Sequence, residues 1–319
     1  METISSGSGR RSRIVKPGVL VISHGSRVSD WVSHVDEAVE AVRLEGNFAG
    51  LETGAAVTGT EPGTNAGMEK PGTGPGSGSS QHEDVGAVSV GDALPIPVEA
   101  AFLELVEGRL IQDGIDRLEA AGVTDMLVIP LFISSGSKHV SEIGWALGAY
   151  AESAVETDLQ RMRVQAALTY GKPIDADPEI VEVLLERSRR LLDGGDPADA
   201  AVLLIGHGSE HAGLHEWWRQ GLAALAAAVR ERGGYADAEI AMLRPDMARE
   251  AVGSLRSRRP GCEVLALPVF LSEGYFTREV VPGRLAGLGC RYDGRTLMPH
   301  PLIAQWMTRQ VQEWLRGLV

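Results

Sequence analysis

Cysteine is scarce in this chain: 319 residues contain two, Cys262 and Cys290. They lie 28 positions apart and neither has a CxxC partner. That excludes a disulfide framework, a zinc ribbon and an iron–sulfur cluster, and it fits a reducing, cytoplasmic setting. Long apolar runs are missing as well. No stretch approaches the roughly 20 apolar residues that a membrane-spanning helix needs, so no membrane association is expected. Positive charge is outnumbered, 30 Lys and Arg against 43 Asp and Glu, for a net charge of −13. Basic residues cluster only in the first residues of the chain, which argues against a nucleic-acid partner. No GxGxxG follows a candidate strand and no GxxxxGK[ST] occurs, so no nucleotide site is expected. His211 and His215 share the spacing of one helical face, but Ala212 follows His211. The HExxH pattern of a zinc protease is therefore absent. Residues 1–16 are polar and basic, without the apolar segment and cleavage site of a secretory leader; they read as a disordered tail.

What is present is a core-forming composition, 44% hydrophobic, in a chain long enough for two domains. An internal repeat organises it. Val19-Leu-Val-Ile-Ser-His24-Gly-Ser26 returns 183 positions later as Val202-Leu-Leu-Ile-Gly-His207-Gly-Ser209. Val98–Leu103 returns 140 positions later as Ala238–Leu243, and Met126–Gly136 returns 138 positions later as Val264–Gly274. Three blocks in the same order point to duplication. The drop in offset between the first two blocks places an insertion of 43 residues in the first copy. Residues 46–94 supply it, rich in Gly, Thr, Ser, Glu and Pro. Such a segment cannot bury enough apolar surface to offset its ordering entropy, and it is expected to be a disordered loop. Loop closure costs grow only logarithmically with length, so the fold tolerates it. A lid or partner-binding segment is the alternative.

Strands are expected at Val19–Ser23, Val98–Leu103, Met126–Ile133 and Val164–Leu168, as short apolar runs bounded by turn residues. Helices are expected after each: one capped by Asp30, then Leu110–Ala121 ended by Gly122, Val140–Tyr150 and Pro178–Leu192. Gly194–Pro197 reads as the linker between domains 17–193 and 199–319. The alternation predicts an α/β protein of two tandem duplicated domains, each a parallel sheet flanked by helices.

Ligands of open parallel sheets bind beyond the C-terminal ends of the strands. His24 directly follows the first strand and His139 follows the third, so both fall at one edge. Imidazole is a good ligand for Fe²⁺, Co²⁺ and Ni²⁺, and two imidazoles leave coordination positions open for a metal that is to be passed on. A histidine alone after a strand is more often a capping or hydrogen-bonding residue than a ligand; two at one edge bring the metal reading level with that one. Glu104, after the second strand, and Glu142, one helical turn beyond His139, are candidates to accept protons or orient a histidine. A solvated loop or a helix-start charge explains each carboxylate as well.

The blocks Val21-Ile-Ser-His24-Gly-Ser-Arg27, Val98-Glu-Ala-Ala-Phe-Leu-Glu104-Leu and Val128–His139 resemble the CbiX/SirB family of sirohydrochlorin chelatases, over nearly the whole chain outside the tail and the insertion. The resemblance implies a class II chelatase in its long, fused form. Such enzymes insert Fe²⁺ or Co²⁺ into sirohydrochlorin without ATP, toward siroheme or cobalamin. It carries the metal-site role onto His24 and His139; Glu104, from its place after the second strand, is the further catalytic candidate beside them. The second copy departs from the pattern. His207 matches His24, but Thr277 stands where His139 would be, so one active site is expected and His207 is read as a relic of duplication rather than a cleft residue. The fused copies are expected to make a monomer with pseudo-twofold halves. The implied tetrapyrrole carries many carboxylates, which an acidic chain repels until screening takes over at about 8 Å. Local groups must then bind it: Arg27, Arg109, Lys138, Arg244 and Arg278 lie near strand ends, with Ser26, Ser134, Ser135, Gly136 and Ser137 beside them. Trp217 and Trp218 are expected in the core or between the domains. A metal-binding or delivery protein that keeps the fold without catalysis is the alternative function.

Overall fold

A computed structural model of the chain describes residues 15–27, 29–45 and 96–318. The expected insertion at 46–94 and all of the expected tail except Val15 and Lys16 lie outside the described residues. Lys16 is tied down: its amide donates to Thr124 Oγ1 and its carbonyl accepts from the Thr124 amide.

The chain builds two four-stranded sheets, every strand pair parallel. The first has the order β2-β1-β3-β4, with β1 Pro17–Ser23, β2 Val98–Phe102, β3 Asp125–Pro130 and β4 Ala167–Tyr170. The second has the order β6-β5-β7-β8, with β5 Ala200–Gly208, β6 Asp237–Arg244, β7 Glu263–Pro268 and β8 Cys290–Arg291. The repeat offsets reappear as strand register. Val19 pairs with Val98 and Leu127, while Val202 pairs with Ala238 and Leu265. Those positions differ by the same 183, 140 and 138 that relate the sequence blocks. The duplication is thus a duplication of architecture.

Each central strand is buried on both sides, because helices cover both faces of a parallel sheet. Helix α1 (Ser29–Glu45) buries Val35, Val39 and Val42 on one face of the first sheet. Helices α2 (Ile111–Ala120) and α3 (Lys138–Ala146) cover the other face around Leu20, Ile22 and Val128. In the second half α5 (Ala212–Gly233) takes the place of α1, and α6 (Ala248–Arg258) and α7 (Val281–Leu285) cover the outer face. Between the sheets lies one continuous core shared by both halves. Two helices cross over inside it. α4 (Pro178–Leu192) follows the first sheet in sequence yet packs on β7 and α5, while α8 (Pro301–Leu318), at the end of the second half, packs on α1 and β3. The buried Arg187 of α4 donates to the carbonyls of Pro268 and Arg295. Arg309 of α8 holds Asp177 and Glu179 at the start of α4, and the Trp314 indole donates to Thr169.

Several expected boundaries move, each for a local reason. β3 stops at Pro130 rather than Ile133, because the chain bends there: the Phe132 amide bonds the Pro130 carbonyl and Ser134 adopts a left-handed φ of 72°. β4 begins at Ala167, not Val164. Side chains of α2 capture the preceding backbone, Gln112 Oε1 accepting from the Arg163 amide and Glu119 Oε1 from those of Gln165 and Ala166. α3 starts at Lys138, so it includes His139, and it ends at Ala146 before Gly148, whose φ is 79°. Asp30 sits in the first turn of α1 rather than capping it. His211 is the N-cap residue of α5, and its carbonyl accepts from the His215 amide. Among the described residues no helix is long and apolar enough to cross a membrane.

Candidate functional site

The C-terminal edges of both sheets open onto one cleft of about 680 Å³, lined by residues of both halves. His24 and His139 line it together with Ser26, Gly136, Ser137, Lys138, His207, Trp218 and Arg244.

The loop after β1 delivers His24. Gly25, with φ of 94°, turns the chain there, and any Cβ on it would strike the Glu104 carbonyl. Gly208 has φ of 76° and a Cβ on it would strike the Arg244 carbonyl, so His24-Gly25 and His207-Gly208 exist for the same reason: a strand end passes too close for a side chain. His139 arrives on the first turn of α3. The two rings meet edge to face with centroids 4.8 Å apart. Each presents the same atom. His24 Nδ1 faces the Gly25 carbonyl at 3.1 Å and Glu104 Oε1 at 3.7 Å, while His139 Nδ1 faces Glu142 Oε2 at 3.0 Å. Those partners only accept, so Nδ1 carries the proton and the Nε2 lone pair is left for a ligand. The carboxylates differ in strength. The Glu142 side chain is 11% exposed and in direct contact; that of Glu104 is 54% exposed and farther away.

Other expected residues divide. Ser26, Gly136, Ser137 and Lys138 line the cleft; Arg27 is exposed beside them. Ser134 and Ser135 do not line it. Ser134 Oγ accepts from the Gly136 amide and Ser135 is bonded through amide and hydroxyl to Asp175, so both shape the loop that carries Gly136. Arg278 is engaged by Glu273 at 3.1 Å and stands outside the lining. Arg109 is taken by Asp36 and lies over the Phe102 ring, away from the cleft. Arg244 does line it. Gly136 has a packing role as well: a Cβ would meet the Leu214 carbonyl and the Trp218 amide, so the first-half loop touches the second-half helix α5.

His207, expected to be a relic, is a cleft residue. Its Nδ1 faces the Gly208 carbonyl at 3.0 Å, as His24 faces Gly25. Burial holds its pKa below the usual histidine value, the Gly208 carbonyl opposes that, and Arg244, His139 and Lys138 add to the lowering. Thr277 occupies the position equivalent to His139, buried and bonded back to Gly274, so the second half has no histidine pair. Trp218 is buried in the cleft wall, whereas Trp217 is 54% exposed rather than packed away. Sequence reasoning missed Trp31 and Ser272, which line the cleft with Trp31 Nε1 and Ser272 Oγ buried and without hydrogen-bond partners among the described residues. Among the described residues no group of three or more His, Cys, Asp and Glu forms a metal cage.

Fold and site together define a duplicated α/β protein with two imidazoles at the mouth of a cleft between its two sheets. The comparisons agree on the family. A family model described as CbiX matches residues 76–191 and 201–314, and the chain belongs to the CbiX family. The first match begins after β1, so His24 lies outside the matched residues. Among relatives, a sirohydrochlorin cobaltochelatase of Methanopyrus kandleri is 27% identical over 30% of this chain and 73% of its own length. A sirohydrochlorin ferrochelatase of Priestia megaterium is 24% identical over 59% of this chain and 65% of its own length, just under two thirds. In structure, SirB from Bacillus subtilis with Fe³⁺ superposes with a TM-score of 0.61 at 20% identity, covering 94% of this chain and 95% of that one, and shares the fold.

Proposed function

We propose that this protein inserts a divalent metal ion, Fe²⁺ or Co²⁺, into sirohydrochlorin. The observation that carries the reading is the pair His24 and His139, 4.8 Å apart at the mouth of a cleft built by both halves. The metal is the substrate. Two imidazole Nε2 atoms hold it with coordination positions open, so ring nitrogens can replace the histidines one at a time. Glu142 orients His139 through its Nδ1; Glu104, farther off, does the same for His24 more weakly. Metallation also displaces two pyrrole N–H protons. Neutral imidazoles released from the metal, His24 and His139, can accept them, and Glu104, beside His24, can pass them to solvent. Lys138 and Arg244 supply positive charge for the ring's carboxylates inside an acidic protein, with hydroxyls from Ser26 and Ser137. Arg27, exposed beside the mouth, is a further cation for them. The family and its named relatives support the substrate.

The test is anaerobic metallation followed by the absorption change of the ring. Acceleration over the enzyme-free rate with Fe²⁺ or Co²⁺ is expected, abolished in His24→Ala and His139→Ala and reduced less in His207→Ala. Metal binding without acceleration would instead identify a delivery protein that retains the fold.

A further inference from the structure

The position-by-position equivalence of the halves exposes a replacement. Ser137, Lys138 and His139 of the first half correspond to Tyr275, Phe276 and Thr277 of the second, at the offset fixed by β3 and β7. The polar, metal-handling turn has become an aromatic one. Phe276 stacks on Phe270 with centroids 6.0 Å apart and planes 21° apart. The rings of His207 and Tyr275 meet Phe276 edge-on, at 4.7 and 5.8 Å. Tyr275 is 71% exposed although it lines the cleft, an unusual position for a large ring. The backbone differs too: Phe276–Val280 forms a wider, π-type helical turn where the first half has an ordinary helix, and such turns recur at functional sites.

We infer that Tyr275 and Phe276 form an aromatic platform, Phe276 stacking on one flat face of the tetrapyrrole and Tyr275, at 67° to it, meeting the ring edge-on, so that the second half holds the ring's face while the first half presents the metal. This rests on the proposed tetrapyrrole substrate. Aromatic groups bind a planar conjugated ring by offset stacking and by edge-to-face contact. The face of the ring and the metal are thereby held by different halves, so binding of one can be weakened without the other.

The test is a fluorescence and absorption titration of the full chain with metal-free sirohydrochlorin, in parallel with a Co²⁺ titration. Phe276→Ala is expected to weaken ring binding about tenfold, the size of one aromatic stacking interaction, with Co²⁺ binding unchanged. Tyr275→Ala, at an exposed position that cannot disturb the core, is expected to weaken it severalfold. Phe276→Tyr should restore binding, and in turnover both alanine variants should raise KM more than they lower kcat. His139→Ala should show the converse, loss of Co²⁺ binding with ring binding kept. Wild-type affinity in both Tyr275→Ala and Phe276→Ala overturns the platform, as does equal weakening by Phe276→Tyr, which would mark Phe276 as a packing residue only. A wild-type chain that binds no sirohydrochlorin overturns the substrate reading itself, a distinct outcome.

Discussion

The two halves share register, strand order and the His-Gly turn after the first strand, yet only one keeps a second histidine. At the third strand's end the first half places His139 on a helix that begins at Lys138, backed by Glu142. The second half places Thr277 there, buried and bonded to its own turn. Duplication supplied two equivalent cleft walls, and fusion in one chain allowed them to diverge. A homodimer of identical domains could not make that division, since any change in one wall would appear in the other.

The sharpest way to break the comparison lies behind the histidines. Glu142→Gln replaces the buried carboxylate that fixes His139 with a neutral amide, and partners of this kind cost about 10–100-fold in metal affinity when lost. Glu104→Gln should cost severalfold at most, because its carboxylate is half exposed and 3.7 Å from His24. Calorimetric titration with Co²⁺ checks both. Equal losses would mean that the two carboxylates do the same work and that burial does not rank them.

A pair of equivalent glycines gives the next largest effect. In Gly136→Ala the new methyl would meet backbone of α5, at the Leu214 carbonyl and the Trp218 amide, which cannot give way as a flexible side chain would. About 1–3 kcal/mol of stability should be lost, the range for overpacked sites, and the cleft should widen with it. Gly274→Ala, at the same position in the second half, meets nothing within 4 Å and should be close to neutral. Thermal melts of the two variants decide it.

How much of this was legible in sequence follows from range. The repeat offsets gave strand order and register, because pairing conserves them. The histidine pair was legible from its place after two strands of one sheet. Side-chain capture was not: nothing in Val164-Gln-Ala-Ala-Leu168 reveals that Glu119 holds two of its amides and delays β4. Nor does composition reveal which arginines are spent, and Arg109 and Arg278 are both spent on local carboxylates. Ser134 and Ser135 read as ligand hydroxyls but serve their own loop. The crossing of α4 and α8 into the opposite halves depends on contacts more than a hundred residues apart, which periodicity cannot report.

That crossing sets the smallest effect and its dependence on pH. Burial alone would raise the Glu179 carboxyl, but hydrogen bonds from Arg309 and from its own backbone, with the Arg309 charge, outweigh it and hold the pKa below the ordinary 4.5. A carboxylate depressed by folding stabilises the native state above its unfolded value, and that contribution disappears as pH falls through the folded value. Arg309 is about one third exposed, so the clamp is discounted for solvent screening and is worth at most about 1 kcal/mol. Arg309→Ala should therefore lower stability modestly at pH 7 and reduce the loss of stability on acidification below pH 4.5. Urea unfolding at pH 7 and pH 3 measures both. A variant that keeps the full wild-type acid dependence would mean that the bond between α8 and the start of α4 contributes nothing to holding the exchanged helices, and that their apolar contacts alone join the halves.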